Sequence, residues 1–248
     1  MKNNLTCSLA VMKRLFVILP ALLLTLTMAA EKKVPLHVFV LGDDPMMVSD
    51  EASGSVGYAT MLQPLFDNMV TIHVEASADL LPNDAASLLE PAGKGDVVLL
   101  CKRPVEMDVE ELTMADIYLN QLQAIQHAAQ KKGVKVIWLT PVCPRFYTAE
   151  GVQVHRLGIY PDVVRRMCQR DALPIVDIEA LTFDWLFTIG AEGTAAAFVP
   201  VTPAIPAAAE KAAREGYALT ETGAQQVAAF IGEAIRADKR NILNKRLQ

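Results

Sequence analysis

The chain has 248 residues, 52% hydrophobic, 21% charged and 6% aromatic, with 23 basic against 28 acidic side chains and a net charge of −5. That length and apolar content suit one α/β domain that buries its own core, and they exclude a disordered, collagen-like or low-complexity chain. No basic run or aromatic-basic interleaving occurs, so no nucleic acid is expected as a partner.

The first element is a targeting segment. Lys13-Arg14 heads an apolar stretch from Leu15 to Leu24, and the small pair Ala29-Ala30 follows. This is the form of a secretory signal peptide cleaved near Ala30, with Met12 an alternative start. The apolar stretch is shorter than the roughly 20 residues of a spanning helix, so no stable membrane anchor is expected after processing. The expected organisation is a signal peptide over 1–30 and a single domain over 31–248, exported to the periplasm or secreted. No acidic residue precedes Glu31, so losing Lys2, Lys13 and Arg14 would take the net charge from −5 to −8.

Strand and helix then alternate. LHVFVL (36–41), VTIHV (70–74), DVVLLC (96–101), VKVIWL (134–139) and LPIVDI (173–178) are short apolar runs that predict strands. Helices are predicted over 57–68, over 114–132 with Thr113 and Asp116 as a capping box and Gly133 as the stop, over 160–171 with Pro161 early, and from Thr220 to Ala237. Nearly unbroken apolar strands separated by helices are the mark of a parallel sheet covered on both faces. The expected fold is α/β: a three-layer α/β/α sandwich on a flavodoxin-like parallel sheet of about five strands. Ligands of such sheets sit at the strand C-terminal ends, which directs attention to the loops after Leu41, Cys101, Leu139 and Ile178.

Three cysteines follow the targeting segment, Cys101, Cys143 and Cys168, without CxxC spacing; Cys101 and Cys168 read as buried structural thiols. The histidines, His37, His73, His127 and His155, form no HxxxH or HxH pair, and the loop Gly42-Asp43-Asp44-Pro45 is no phosphate cradle. Neither a metal nor a cofactor is expected. His37 and His73 read as core or sheet-edge residues, Trp138 as core, and Asp177 as a strand-end hydrogen-bonding group.

Several segments in this order carry a family likeness: VFVLGDD (38–44), GYATMLQPLF (57–66), GDVVLL (95–100), LTPVCPRF (139–146), GIYPDVVRRM (158–167), LPIVDIEALT (173–182), Ile189–Glu192 and LTETGAQQVAAFI (219–231). With them the chain resembles the SGNH (GDSL-type) hydrolases, specifically the rhamnogalacturonan acetylesterase-like carbohydrate esterases. The resemblance implies a Ser nucleophile after Gly-Asp at the end of the first strand and a His base in a C-terminal Asp-x-x-His. It also implies oxyanion donors from a second-block Gly and from a Gly-x-Asn-Asp loop after the third strand. In this sequence the nucleophile position is Asp44, and the Asp-x-x-His stretch is Glu215-Gly216-Tyr217-Ala218. The third-strand loop is Lys102-Arg103-Pro104-Val105-Glu106, and VEASADLL (74–81) offers no clear Gly.

Asp44, Glu215 and Ala218 are therefore the positional equivalents of Ser, Asp and His, and a set so altered is expected to be inactive. The favoured expectation is a non-catalytic esterase-like protein that binds a polysaccharide, an oligosaccharide or another partner. The alternative is an active carbohydrate acetylesterase with a relocated catalytic set, for which Ser49, Ser53, Ser55 and His155 are the candidates. Lys102, Arg103 and Arg145 are candidate binding residues, Arg145 facing either the cleft or solvent. Asp44 is expected to pair with Arg103 or Lys102 and so plug the site.

Overall fold

Alternating side chains of the apolar runs point to opposite faces of a strand, so a run buried at every position needs a layer on each side. The computed structural model, which describes residues 34–76, 84–104, 110–201 and 213–248, has that arrangement. Strands β1 (Leu36–Gly42), β2 (Val70–Ala76), β3 (Val97–Cys101), β4 (Lys135–Leu139) and β5 (Ile175–Val176) form one parallel sheet in the order β2-β1-β3-β4-β5. Residues Pro35–Gln248 make up one compact unit. The expected signal peptide lies outside the described residues, as do residues 77–81 of the second block, Val105 and Glu106, and residues 202–212.

Among the described residues the α-helices are α1 (Ala85–Leu88), α2 (Glu111–Lys132), α3 (Tyr160–Arg170), α4 (Ile178–Gly193) and α5 (Glu221–Ala237). On one face Val38, Val40, Val97, Leu99, Ile137 and Leu139 pack with Leu186 of α4 and with Val227 and Ile231 of α5. On the other, Leu41, Val98, Leu100, Val136 and Trp138 pack with Leu122 and Ile125 of α2 and with Val164 and Met167 of α3. Trp138 is buried and donates to Gln126 from its indole N–H at 2.9 Å, as a core Trp should. The predicted ends of α2 and α5 follow their caps: Gly133 takes φ 76° after α2, and the Thr220 hydroxyl accepts from Gly223 N at the start of α5.

Three local expectations need correction. The helix expected over 57–68 is a pair of short 3-10 turns, Tyr58–Met61 and Gln63–Leu65. Pro64 has no N–H to continue a ladder, and the apolar residues Tyr58, Ala59, Leu62 and Phe66 are buried without α-helical geometry. Helix α2 starts at Glu111 with Glu110 as an N-cap that makes no side-chain bond, so Thr113 and Asp116 form no capping box at its start. The last strand is two residues long, because Asp177 already caps α4 through Ala180 N. A short edge strand limits edge-to-edge pairing.

Candidate functional site

Strand β1 delivers Gly42, Asp43 and Asp44 to the C-terminal edge of the sheet, where all three are buried. A Cβ on Gly42 would meet the Met47 sulfur at 2.1 Å and the Cys101 carbonyl at 3.1 Å, so the close approach of β1, β3 and the following turn requires glycine there. Asp44 caps the 3-10 turn Pro45–Met47: its Oδ1 accepts from Met46 N at 2.9 Å, and its Oδ2 accepts from Val142 N, after β4, at 2.9 Å. The carboxylate is fully buried. Burial pushes its pKa from the ordinary 3.8 up to about 6, against the opposing pull of the Val142 and Met46 N–H groups and of Arg103.

The expected pairing of Asp44 with Lys102 or Arg103 falls one residue earlier. Lys102 Nζ lies 3.0 Å from Asp43 Oδ2, both side chains being fully buried, and Arg103 N donates to Asp43 Oδ1. Lys102 also donates to the Arg103 carbonyl at 3.2 Å, and Tyr118 of α2 donates its hydroxyl to the Lys102 carbonyl. The physical reason is alternation along an extended segment: successive carboxylates point opposite ways, so one faces the loop after β3 and the other the loop after β4.

The segment Glu215–Ala218 reaches the same edge through the loop after β4. Arg145 N donates to Gly216 O at 3.2 Å, and Val56, in the loop after β1, donates to Leu219 O at 2.9 Å. Gly216 has φ 75°, and a Cβ there would lie 2.3 Å from the Arg145 carbonyl oxygen. Ala218 is buried, while burial, reinforced by the Asp44 charge, raises the Tyr217 phenol beside it. Tyr58 is also fully buried; burial and then the Asp44 charge raise its phenol, and its hydroxyl has no hydrogen-bond partner among the described residues.

Arg145 faces neither open cleft nor free solvent. It donates to Ala191 O at 2.6 Å and to Thr194 Oγ1 at 3.3 Å, and its guanidinium lies 5.4 Å from the Tyr147 ring and 5.9 Å from the Phe198 ring. It braces the end of α4 where Gly190 interrupts the helix at φ 76°, ψ 179°. Asp177 is the hydrogen-bonding strand end that its position implied: it accepts from Thr140 Oγ1 at 3.0 Å and pairs with Arg165 at 2.7 Å. Burial pushes its carboxyl up, but Arg165, Thr140 and the Ala180 N–H outweigh burial and hold it below the ordinary value.

The serines of the β1 loop serve the loop itself. Ser49 Oγ accepts from Gly57 N at 2.9 Å, and Ser53 and Ser55 lie 3.0 Å apart. His155 has a partner the sequence did not indicate. Its Nδ1 lies 2.9 Å from Glu179 Oε1, and the buried Glu179 also receives Arg165. His37 and His73 meet at 3.0 Å across strands β1 and β2, at the sheet edge. Among the described residues, no group of three or more His, Cys, Asp or Glu is placed to hold a metal ion.

No protein-family model matches the chain. Rhamnogalacturonan acetylesterase RhgT of Bacillus subtilis is 23% identical over 212 residues, covering 82% of this chain and 90% of that protein. Among solved structures, the Bacillus subtilis protein YxiM superimposes with a TM-score of 0.63 at 15% identity, over 85% of this chain and 58% of the longer YxiM chain. An acetyl xylan esterase, AlAXEase, gives a TM-score of 0.50 at 15% identity, over 80% of this chain and 99% of its own. The chain shares its fold with these solved structures and is similar in sequence to the acetylesterase, in keeping with the expected resemblance to the rhamnogalacturonan acetylesterase-like SGNH (GDSL-type) hydrolases.

Proposed function

We propose that the protein is an exported, non-catalytic SGNH hydrolase-like protein that binds a polysaccharide or oligosaccharide and does not hydrolyse esters. One observation carries the reading: the side chain at the end of β1, where the family resemblance puts the nucleophile, is a fully buried carboxylate with each oxygen accepting a backbone N–H. Attack by such a group on an ester would give a mixed anhydride and would first have to break both of those bonds. Ala218, at the position of the base, has no proton acceptor. An oxyanion donor is worth about 3–4 kcal/mol of transition-state stabilisation, and the loop from Lys102 to Pro104 is committed to Asp43. The carbohydrate class comes from the relatives, named for rhamnogalacturonan and acetyl xylan. Export rests on the form of residues 13–30.

A second reading, a working carbohydrate acetylesterase, is favoured by the His155–Glu179 pair, which sets a carboxylate oxygen 2.9 Å from an imidazole nitrogen, the two groups a triad acid and base would be. Hydrolysis of acetylated xylo-oligosaccharide, followed by acetate release, separates the two. The proposal expects the rate of heat-inactivated protein, and release that disappears in His155→Ala supports the second reading.

A further inference from the structure

Beyond the C-terminal ends of β4 and β5, away from Asp44, the chain builds a second arrangement at the N-terminal half of α4. The strand segments around Tyr147 and Gln153 pair as an antiparallel bridge; Val154 N donates to Phe146 O at 2.9 Å, and the buried Gln153 amide donates to Pro144 O at 2.8 Å. This fixes the backbone that carries His155. Its imidazole lies over Phe183, with centroids 3.6 Å apart and planes at 12°, and Phe183 stacks on Phe187 at 6.1 Å and 15°. Phe183 and Phe187 are one helical turn apart on α4, and the three ring planes are nearly parallel, forming a stacked ladder. The His155 side chain is 59% exposed and Phe187 is 64% exposed.

Two features separate this ladder from scattered surface apolarity. An exposed imidazole is ordinarily free to rotate, but here the ring is stacked on Phe183 and its Nδ1 lies 2.9 Å from the buried Glu179 Oε1, which leaves Nε2 on the side away from that carboxylate. Arg165 and Thr140 in turn anchor the start of α4, through Glu179 and Asp177 and through Glu179 N. The rings are thus held in place before any ligand arrives. Their extent also matters. A stable protein partner covers about 800 Å² on each side, whereas this strip is one ring wide and bordered by the exposed Asp184, Thr188 and Arg156.

We propose that His155, Phe183 and Phe187 form a carbohydrate subsite, in which a pyranose lays its C–H face on the aromatic ladder and hydrogen-bonds a hydroxyl to His155 Nε2. The electron-rich face of an aromatic ring attracts polarised C–H groups, and a sugar supplies those beside hydroxyls that suit the polar border. The inference rests on the reading of the protein as a glycan binder and says where the glycan lies.

The test is calorimetric titration of the intact chain with xylohexaose and with hexagalacturonate, together with Phe187→Ala, His155→Ala and Ile189→Ala. Ile189 is 51% exposed but takes no part in the stack, so it serves as the control. The expected result is binding of one of the two saccharides, weakened about fivefold or more by Phe187→Ala and by His155→Ala and less than about twofold by Ile189→Ala. Binding unaffected by Phe187→Ala and His155→Ala overturns the subsite while leaving the glycan reading intact. Absence of binding to both saccharides overturns both. A dimer that Phe187→Ala converts to a monomer overturns the subsite in favour of a contact between copies.

Discussion

The buried Asp44 should leave its mark on the pH dependence of stability. Its carboxyl titrates near 6 in the folded protein and near 3.8 in an unfolded chain. The folded state therefore holds this proton more tightly, and the group favours folding when protonated. That contribution is complete below about pH 4, falls as pH rises through the folded value near 6, and is constant above it. At about 1.4 kcal/mol per pKa unit the whole swing is about 3 kcal/mol. Other carboxyls also contribute to the pH dependence of stability, so the swing is read as a difference between two proteins. Asp44→Asn cannot ionise; its carbonyl retains one backbone bond while its amide N–H faces the other N–H, a penalty that does not vary with pH. Urea unfolding followed by Trp fluorescence at pH 4, 5, 6 and 7 gives both stabilities. The stability of Asp44→Asn minus that of the unsubstituted protein should rise by about 3 kcal/mol from pH 4 to pH 7, most of it between pH 4 and 6. Parallel curves, within about 0.5 kcal/mol throughout, would refute the burial of an ionisable Asp44.

Other expectations follow from neighbouring groups. Lys102→Met leaves the buried Asp43 with only the more distant Arg103 guanidinium, 3.9 Å away, and should lower stability by about 3 kcal/mol, and adding Asp43→Asn should recover part of that loss in the same urea experiment. Gly216→Ala combines a positive φ with a 2.3 Å approach to the Arg145 carbonyl and should cost about 2 kcal/mol or more, lowering the thermal midpoint. Burial pushes Cys143 and Cys168 up to about 12 and raises Cys101 well above its ordinary value, so iodoacetamide at pH 8 should leave these three unlabelled in the folded protein and alkylate them in urea, as peptide mapping will show.

What the sequence disclosed and what it hid divide along physical lines. Strands β1, β3 and β4 were readable because each lies between two helical layers, so nearly every residue of 97–101 or 136–139 had to be apolar. The helix ends at Gly133 and Thr220 were readable because capping is a local property. The stretch from Gly57 to Phe66 misled because its apolar spacing fits a helix, while Pro64 and the tight seat of Gly57 against Met47 impose 3-10 turns. At the candidate site, the position of Asp44 was legible and its partners were not. They are backbone N–H groups, one of them 98 residues away in sequence, and no residue type encodes them. The His155–Glu179 pair was hidden for a related reason. The two lie 24 residues apart, on a hairpin and a helix that meet only once the sheet has formed.

Whether any hydroxyl of this protein is activated as a nucleophile separates a glycan binder from an esterase. Incubating the intact chain with a fluorophosphonate probe, followed by peptide mapping of any adduct, tests that directly. A non-catalytic protein gives no adduct above that formed on urea-unfolded protein, and none in Asp44→Ser either, because Ala218 supplies no base. Stoichiometric labelling of a single serine in the folded, unsubstituted protein would contradict the non-catalytic reading.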